Sequence, residues 1–415
     1  FCNCCVFKEY CEMLKIDDFS SFRRVATPFY YYDIDLFQRT VDKVAELSVR
    51  TGIKVHYSIK ANSDIRLNDI ISSRGLGADC VSGDEIDFAV GCGYDPKKIF
   101  FAGVGKSDRE ICQAFQVGIG AFVVESLEEI EIIGDLARRL GRRASVSLRI
   151  NPNIDAHTHH YITTGLYEDK FGISDRSFDE AVALVNSFPD IDFYGLQFHI
   201  GSQILDVEDV VRLECAKVND IVSRFESNGM VVGNIDLGGG LGVDYDEPDA
   251  DPVPDFETWF RTIDKNLRRR PDQTVHIEPG RSLVAQCGSL ITEVLFVKKG
   301  ENRRFLMVDA GMNDLIRPAL YGAYHKIENL SAHYEDDDSR EKRVYDVVGP
   351  VCESADTFGK ERLLAKSHRG DLIAIRSAGA YGQVMASRYN MRPFAPSVYS
   401  DRLAEAPRRK DYFIG

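Results

Sequence analysis

The sequence predicts a TIM-type (β/α)8 barrel joined to a second, all-β domain with a Greek-key-like arrangement. Eight short β-rich runs alternate with helix-like stretches over the first two-thirds of the chain. Their starts lie roughly 20 to 24 residues apart at first and roughly 40 to 48 later, so each interval can hold a crossover helix. After residue 285, strands follow one another with turn signals and little helix, as in an all-β domain.

The barrel strands are short runs rich in β-branched and aromatic residues, with helical patterns between them. In one interval Ile111, Ala114 and Phe115 repeat with the spacing of one helix face. Eight βα units that close on themselves form a TIM barrel, and a doubly wound open sheet is the alternative. The strands are predicted at 55–59, 78–81, 98–102, 121–125, 145–150, 193–199, 234–238 and 274–278.

Four further strands are predicted after the barrel, and together they indicate the β domain. They lie at 291–299, 303–310, 343–349 and 371–377. An N-terminal run at 27–33 also has strand character, so the first residues are expected to join this β domain. The predicted organisation is an N-terminal segment (1–35), a barrel (36–285) and a β domain (286–415).

The composition narrows the class of partner. The chain has 415 residues, of which 51 are basic and 65 acidic, so its net charge is −14. This balance argues against nucleic acid and against an anionic membrane surface, since both require clustered Lys and Arg. No apolar run approaches the roughly 18 residues of a membrane span. We therefore expect a soluble globular protein that binds neither nucleic acid nor a membrane.

The ten cysteines show no disulfide framework. Six are scattered, as expected for reduced thiols in the cytoplasm. Cys2, Cys4, Cys5 and Cys11 crowd the N-terminus, and Cys2 with Cys5 forms a C-x-x-C pair. No second pair or His cluster follows at zinc-site spacing, so a loosely ordered terminus is favoured over a metal site and no metal is predicted.

Residues that could take part in binding or catalysis follow several of the predicted strands. The ends of the strands are where TIM barrels carry their active sites. Lys60 ends the first strand, His199 the sixth and Glu278 the eighth, and the glycine run GGGLG (238–242) ends the seventh. Backbone N–H groups of such a run can bind an anion, although a tight turn is the alternative reading. A phosphate site, an amine able to form a Schiff base and a nearby carboxylate are the groups that pyridoxal phosphate requires.

Six motifs together identify a family resemblance. They are YSIKAN (57–62), HIGSQ (199–203), GGGLG (238–242), EPGR (278–281), VCES (351–354) and GAYG (379–382). In this order they resemble the fold-type-III PLP-dependent decarboxylases, over about residues 26 to 398. Within this family the resemblance is closest to the members that act on diaminopimelate. It implies decarboxylation of meso-2,6-diaminopimelate to L-lysine and CO2, the last step of lysine biosynthesis, in the cytoplasm.

The resemblance also implies a pyridoxal 5'-phosphate site. Lys60 would bind the cofactor covalently, His199 would stack on its ring and Glu278 would pair with the ring nitrogen. An anionic carboxylate there keeps the ring protonated and makes it a better electron acceptor. The other cofactor-binding residues that the resemblance implies are Ser202, Gly239, Gly240, Pro279, Gly280, Arg281 and Tyr381.

Substrate binding and proton transfer are assigned by the same resemblance. The substrate-binding residues that it implies are Arg281, Arg317, Tyr321, Glu353 and Tyr381. Cys352 is the implied proton donor to Cα, a role that a thiol of reference pKa about 8.5 can fill near neutral pH. In this family Cys352 and Glu353 come from the partner subunit, so the resemblance implies a homodimer with shared active sites.

Two alternatives remain at this point. A relative that decarboxylates ornithine, arginine or carboxynorspermidine would share the fold, but diamine-forming enzymes would not need Arg317, and ornithine-type enzymes carry Asp in place of Glu353. A catalytically inactive regulator would have been free to lose Lys60 or Cys352, which are both present, and a small cofactor carrier would lack the β domain. One departure from the family pattern is Asp84, where a second Gly is commoner and local electrostatics could change.

Overall fold

The computed structural model describes residues 14–152, 170–336 and 340–409. It confirms the predicted fold class, because eight parallel strands close into a barrel and a second, mostly sheet domain follows. The Cys-rich segment with Cys2, Cys4, Cys5 and Cys11 lies outside the described residues. Within the described ranges, the helices are too short or too polar to cross a bilayer.

The strands and helices are numbered in chain order. The strands are β1 (Phe29–Tyr32), β2 (Lys54–Ser58), β3 (Gly77–Cys80), β4 (Ile99–Phe101), β5 (Ala121–Val124), β6 (Ala144–Arg149), β7 (Ile191–Gln197), β8 (Asn234–Asp236), β9 (Thr274–Ile277), β10 (Gly288–Lys299), β11 (Arg304–Val308), β12 (Ile327–Asn329), β13 (Lys342–Val348), β14 (Thr357–Ala365), β15 (Leu372–Ile375) and β16 (Ser397–Tyr399). The helices are α1 (Phe19–Phe22), α2 (Ile34–Thr51), α3 (Ile65–Ser73), α4 (Gly83–Gly91), α5 (Asp108–Val117), α6 (Leu127–Leu140), α7 (Phe178–Ser187), α8 (Val207–Ser227), α9 (Phe256–Asn266), α10 (Arg281–Val284), α11 (Arg317–Tyr321) and α12 (Leu330–Asp336).

Strands β2 to β9 form the barrel, each paired in parallel with the next, and β9 closes on β2. All eight were predicted to within two residues at each end. The strands are buried nearly throughout, which explains their continuous apolar character in the sequence. Most helices between them begin at side-chain caps such as Ser107, and α5 and α6 end at the left-handed glycines Gly118 and Gly141. The doubly wound alternative is therefore wrong.

The β domain contains the four predicted strands and more. Strand β10 pairs with β11 and β15, and β1 adds to β10, so the N-terminal strand joins the second sheet as expected. The prediction missed β12, β14 and β16 and the short helices α11 and α12, so this domain is not purely β. Three-residue strands carry too little periodicity to detect, and β14 is half exposed with no alternating pattern. The domain limits at residues 35 and 285 stay a prediction.

A hydrogen-bonded seam joins the two domains beside the barrel mouth. Asn62, two residues after Lys60, donates to the carbonyl of Gly379 at 2.7 Å and to the Tyr32 hydroxyl at 2.9 Å. The backbone N–H of Tyr381 donates to the carbonyl of Ala61 at 2.8 Å. A Cβ at Gly379 would lie 1.9 Å from a backbone oxygen, so only glycine allows this approach. The GAYG segment is thereby held against the turn that carries Lys60.

Candidate active site

A cavity of about 1010 Å³ opens at the carboxyl ends of the barrel strands, where the second domain covers part of the mouth. Its walls include eight of the residues that the sequence predicted for the site. These are Lys60, His199, Ser202, Glu278, Arg281, Arg317, Tyr321 and Tyr381. The structure therefore brings side chains from distant parts of the chain into one cavity of the size that small-molecule ligands require.

Lys60 lies in a short 3-10 turn directly after β2 and reaches into the cavity beside Asp79. Its Nζ lies 3.8 Å from Asp79 Oδ2, and the same oxygen accepts a hydrogen bond from the Ser58 hydroxyl at 2.8 Å. About 44 % of the Lys60 side chain stays exposed in the cavity. Its partial loss of water opposes the charge, but Asp79, Tyr381 and Glu278 outweigh this and raise the Lys60 pKa above its ordinary value. Lys60 is therefore a cation held by buried acids.

Glu278 follows β9 and is buried at the base of the cavity. Its Oε2 accepts a hydrogen bond from Gln197 at 2.9 Å. Its carboxyl group contacts that of Asp236, and no N–H or hydroxyl group of another described residue donates to Glu278 Oε1 or Asp236 Oδ2. Burial, with the neighbouring charge of Asp236, raises the Glu278 pKa well above its ordinary value, and burial raises the Asp236 pKa to about 7. A ligand that brings a cationic N–H would relieve this crowding of acids.

The glycine run forms a backbone cradle beside His199. A Cβ at Gly239 would lie 2.3 Å from the carbonyl oxygen of Glu278, and one at Gly240 would lie 2.8 Å from that of Gly201. The N–H of Gly239 points at His199 Nδ1 at 3.3 Å. Burial and the nearby positive charges of Arg149 and Lys60 lower the His199 pKa well below its ordinary value. The imidazole is therefore neutral at pH 7, which leaves its flat face suited to contact with a ring.

Two buried arginines line another wall of the cavity. Arg281 and Arg317 are both 6 % exposed, and neither forms an ion pair with a described residue. Arg281 donates to the hydroxyls of Tyr245 at 2.7 Å and Ser202 at 3.1 Å. Burial, and in part the charge of Arg281, lowers the Arg317 pKa below its ordinary value. Two desolvated cations that have no carboxylate partner within the described part of the chain make this wall a site for an anionic ligand.

Tyr381 connects this wall to the seam between the domains. Its backbone has φ of +56°, a left-handed conformation that a non-glycine residue adopts only under constraint. Its ring lies 5.0 Å from the Arg281 guanidinium. Tyr321, at the end of α11, is half-buried on the cavity wall.

Six predicted residues are not part of the cavity wall. Gly239, Gly240, Pro279 and Gly280 adjoin or contact wall residues, whereas the other two lie elsewhere on the chain. Cys352 and Glu353 lie in the loop between β13 and β14 and are exposed. The N–H of Cys352 donates to Asn390 Oδ1 at 3.0 Å, so this loop lies against segment 389–394. One chain alone leaves the cavity without a thiol from the VCES motif.

Comparison with known proteins supplies the family. Residues 36–285 match the model described as the pyridoxal binding domain of pyridoxal-dependent decarboxylase. A diaminopimelate decarboxylase of Bacteroides thetaiotaomicron is 49% identical over 383 residues, which cover 92% of this chain and 97% of that protein. The chain belongs to the diaminopimelate decarboxylase family. A diaminopimelate decarboxylase of Helicobacter pylori is 42% identical, and the match covers 90% of both chains.

Solved structures of the diaminopimelate decarboxylase family agree with the fold. The crystal structure of the Helicobacter pylori enzyme complexed with L-lysine has a TM-score of 0.83 and 41% identity, and covers 92% of this chain and 94% of that one. A viral arginine decarboxylase at 20% identity has a TM-score of 0.78, which shows the common fold alone.

The sequence prediction missed five polar residues that contribute to the charge and hydrogen bonding of the site described above. They are Asp79, Arg149, Gln197, Tyr245 and, beneath the cavity, Asp236. Four of them lie inside barrel strands, whereas the prediction used the residues that follow each strand. A polar residue near the carboxyl end of a buried strand was the available signal. Tyr245 lies in a loop, and no sequence pattern singles it out.

Proposed function

We propose that this protein decarboxylates meso-2,6-diaminopimelate to L-lysine and CO2 with pyridoxal 5'-phosphate. The observation that carries the proposal is the buried pair of Arg281 and Arg317 in the cavity that also holds Lys60 and Glu278. A planar guanidinium binds a carboxylate in bidentate fashion. Diaminopimelate has a second carboxylate remote from the one that leaves, whereas ornithine and arginine do not. The relatives named for this activity support the proposal.

The residues present fit the cofactor. Lys60 would hold it covalently, Glu278 would hold its ring nitrogen and His199 would cover a ring face. Glu278 Oε1, buried without an N–H donor from the described residues, suits a ring N–H, and backbone N–H groups of the GGGLG run, which has few side chains, would hold the phosphate. The remaining residues of this set are Ser202, Pro279, Gly280, Arg281 and Tyr381. When bound, pyridoxal phosphate delocalises the electron pair left on Cα as CO2 departs.

The other residues hold the substrate and exclude water. Arg281 and Arg317, with the Tyr321 hydroxyl, bind the distal carboxylate, and Tyr381 packs beside them. The desolvation that lowers the Arg317 pKa also strengthens its attraction for a carboxylate, since no water competes. The reacting end is thereby placed next to Lys60 and Glu278. This placement determines which end of the substrate loses CO2.

We further propose a homodimer with shared active sites. The partner subunit's Cys352 returns a proton to Cα, and the partner subunit's Glu353 pairs with the ammonium at the reacting end. In support, Asn390, which accepts a hydrogen bond from the N–H of Cys352, is followed in the chain by Met391 and Phe394, which are 95 % and 50 % exposed. Exposed apolar side chains are frequent in protein interfaces.

We also propose that the protein works in the cytoplasm. The cysteines of the described residues are free thiols, which include the buried Cys80, Cys215 and Cys287. Reduced thiols are the usual state in that compartment. A biosynthetic reaction on a free amino acid is consistent with the same location.

Purified protein supplied with pyridoxal phosphate should release CO2 and L-lysine from meso-diaminopimelate in equal amounts. Chromatography of the product on a chiral phase, with CO2 trapped in parallel, measures both. Release of D-lysine, or of 1,5-diaminopentane as the first product, would contradict the proposed orientation of the substrate.

Mixing two inactive variants should restore activity. In a mixture of Lys60→Ala and Cys352→Ala protein, each mixed dimer contains one wild-type site, so random exchange predicts about a quarter of full activity. A mixture of Lys60→Ala with Arg317→Ala is the matched control, because both residues come from the same chain and no intact site can form. No recovery in the test mixture despite demonstrated subunit exchange would exclude a shared site. Recovery in the control would contradict the placement of Lys60 and Arg317 in the site of one chain.

A further inference from the structure

The two buried arginines need a structural explanation. Arg281 and Arg317 lie close enough for the charge of one to lower the pKa of the other, and both guanidiniums are almost fully desolvated. Like charges in such a place repel each other and would separate, or draw in water, unless neighbouring groups hold them. Their placement therefore depends on other side chains.

Tyr245 contacts both arginines. Its hydroxyl accepts a hydrogen bond from Arg281 Nη1 at 2.7 Å, and its ring lies 5.1 Å from the Arg317 guanidinium. A phenol oxygen stabilises one cation, and the negative face of the ring attracts the other. Tyr245 is itself 9 % exposed, so both contacts are shielded from water.

The loop that carries Tyr245 is attached to the second domain. His325 packs edge-on against the Tyr245 ring with a centroid distance of 5.1 Å, and its Nδ1 lies 2.8 Å from the carbonyl oxygen of Arg376. The Arg376 side chain forms a two-point ion pair with Asp249, farther along the same loop, at 2.5 and 2.9 Å. The position of the Tyr245 ring is therefore fixed by its contact with His325 and by the ion pair that ties its loop to Arg376.

We propose that Tyr245 is a positioning residue that holds Arg281 and Arg317 together as one binding site for the distal carboxylate of the substrate. This inference rests on the proposed function and adds a determinant of specificity to it. Tyr245 supplies no group to the reacting atoms. It sets the geometry of the two cations, so its loss weakens ligands that carry the distal carboxylate and leaves other ligands unaffected.

Two ligands separate this role from a general structural one. L-lysine and 1,5-diaminopentane carry the same two amines and differ only by the carboxylate. We expect calorimetric titration of the protein loaded with pyridoxal phosphate to show that Tyr245→Phe weakens L-lysine binding about 10-fold, because a hydrogen bond to a charged group is lost. Tyr245→Leu, which also removes the ring, should weaken it about 100-fold. Binding of 1,5-diaminopentane should change less than about twofold in both variants.

The controls distinguish a failure of the proposed function from a failure of the role proposed for Tyr245. Tyr194→Phe removes the hydroxyl of a tyrosine that packs on Phe100, away from the cavity, and should leave both affinities unchanged. If wild-type protein binds L-lysine no better than 1,5-diaminopentane, the carboxylate site and the proposed function both fail. If wild-type protein prefers L-lysine and both Tyr245 variants keep that preference, or lose affinity equally for the two ligands, only the role of Tyr245 is overturned.

Discussion

Replacing Lys60 with Ala should abolish decarboxylation and remove the visible absorbance of bound pyridoxal phosphate. Lys60 is the lysine of the cavity that lies beside both Asp79 and Glu278, and the buried acids hold its amine in place. Without this amine the cofactor has no covalent attachment in the cavity. Absorbance spectra of dialysed protein and a CO2-release assay measure the two effects.

The matched control for this change is Lys54→Ala. Lys54 begins the same strand, β2, and is exposed at its opposite end. This variant should keep wild-type absorbance and activity. A Lys60→Ala protein that retained both the absorbance and the turnover would show that another residue binds the cofactor.

Replacing Arg317 with Met or Ala should reduce kcat/KM for diaminopimelate by about 30- to 1000-fold, which corresponds to the loss of about 2–4 kcal/mol for a buried, charge-assisted contact. The cofactor absorbance should remain, because Arg317 belongs to the second domain and the residues proposed to hold the cofactor belong largely to the barrel. Steady-state kinetics and spectra of the same preparation separate the two effects.

Arg138→Met serves as the control for removing a guanidinium. Arg138 is exposed on α6 and pairs with Asp135, so its loss should change kcat/KM little. If the Arg317 variants worked as well as wild type, the distal carboxylate would have to be bound elsewhere.

The barrel could be predicted from the sequence because its signal is local and repeated. Each strand is a short apolar run and each interval is long enough for a helix, so eight repeats leave few other topologies. The β domain was harder to predict because several of its strands are too short to show a sequence pattern of their own. Strand β12 has only three residues, and its pairing with β15 depends on contacts across the sheet.

The candidate site was predictable where residues follow strands in recognisable motifs. Lys60, His199 and Glu278 occur in such motifs and do meet in one cavity. Asp79 and Tyr245 were missed because their importance arises only when the fold places them beside a cation. The placement of Cys352 and Glu353 in a partner's site stays a prediction, since it depends on a second chain.

The proposed preference for diaminopimelate is tested most directly by measuring kcat/KM with one preparation of wild-type protein. The substrates compared are meso-diaminopimelate, ornithine, arginine and carboxynorspermidine. A site built around Arg281 and Arg317 requires a substrate with a distal carboxylate in the position that diaminopimelate offers. We therefore expect diaminopimelate to have the highest value and L-lysine to be its product. Faster decarboxylation of ornithine or arginine would show that Arg281 and Arg317 do not select a substrate with a distal carboxylate.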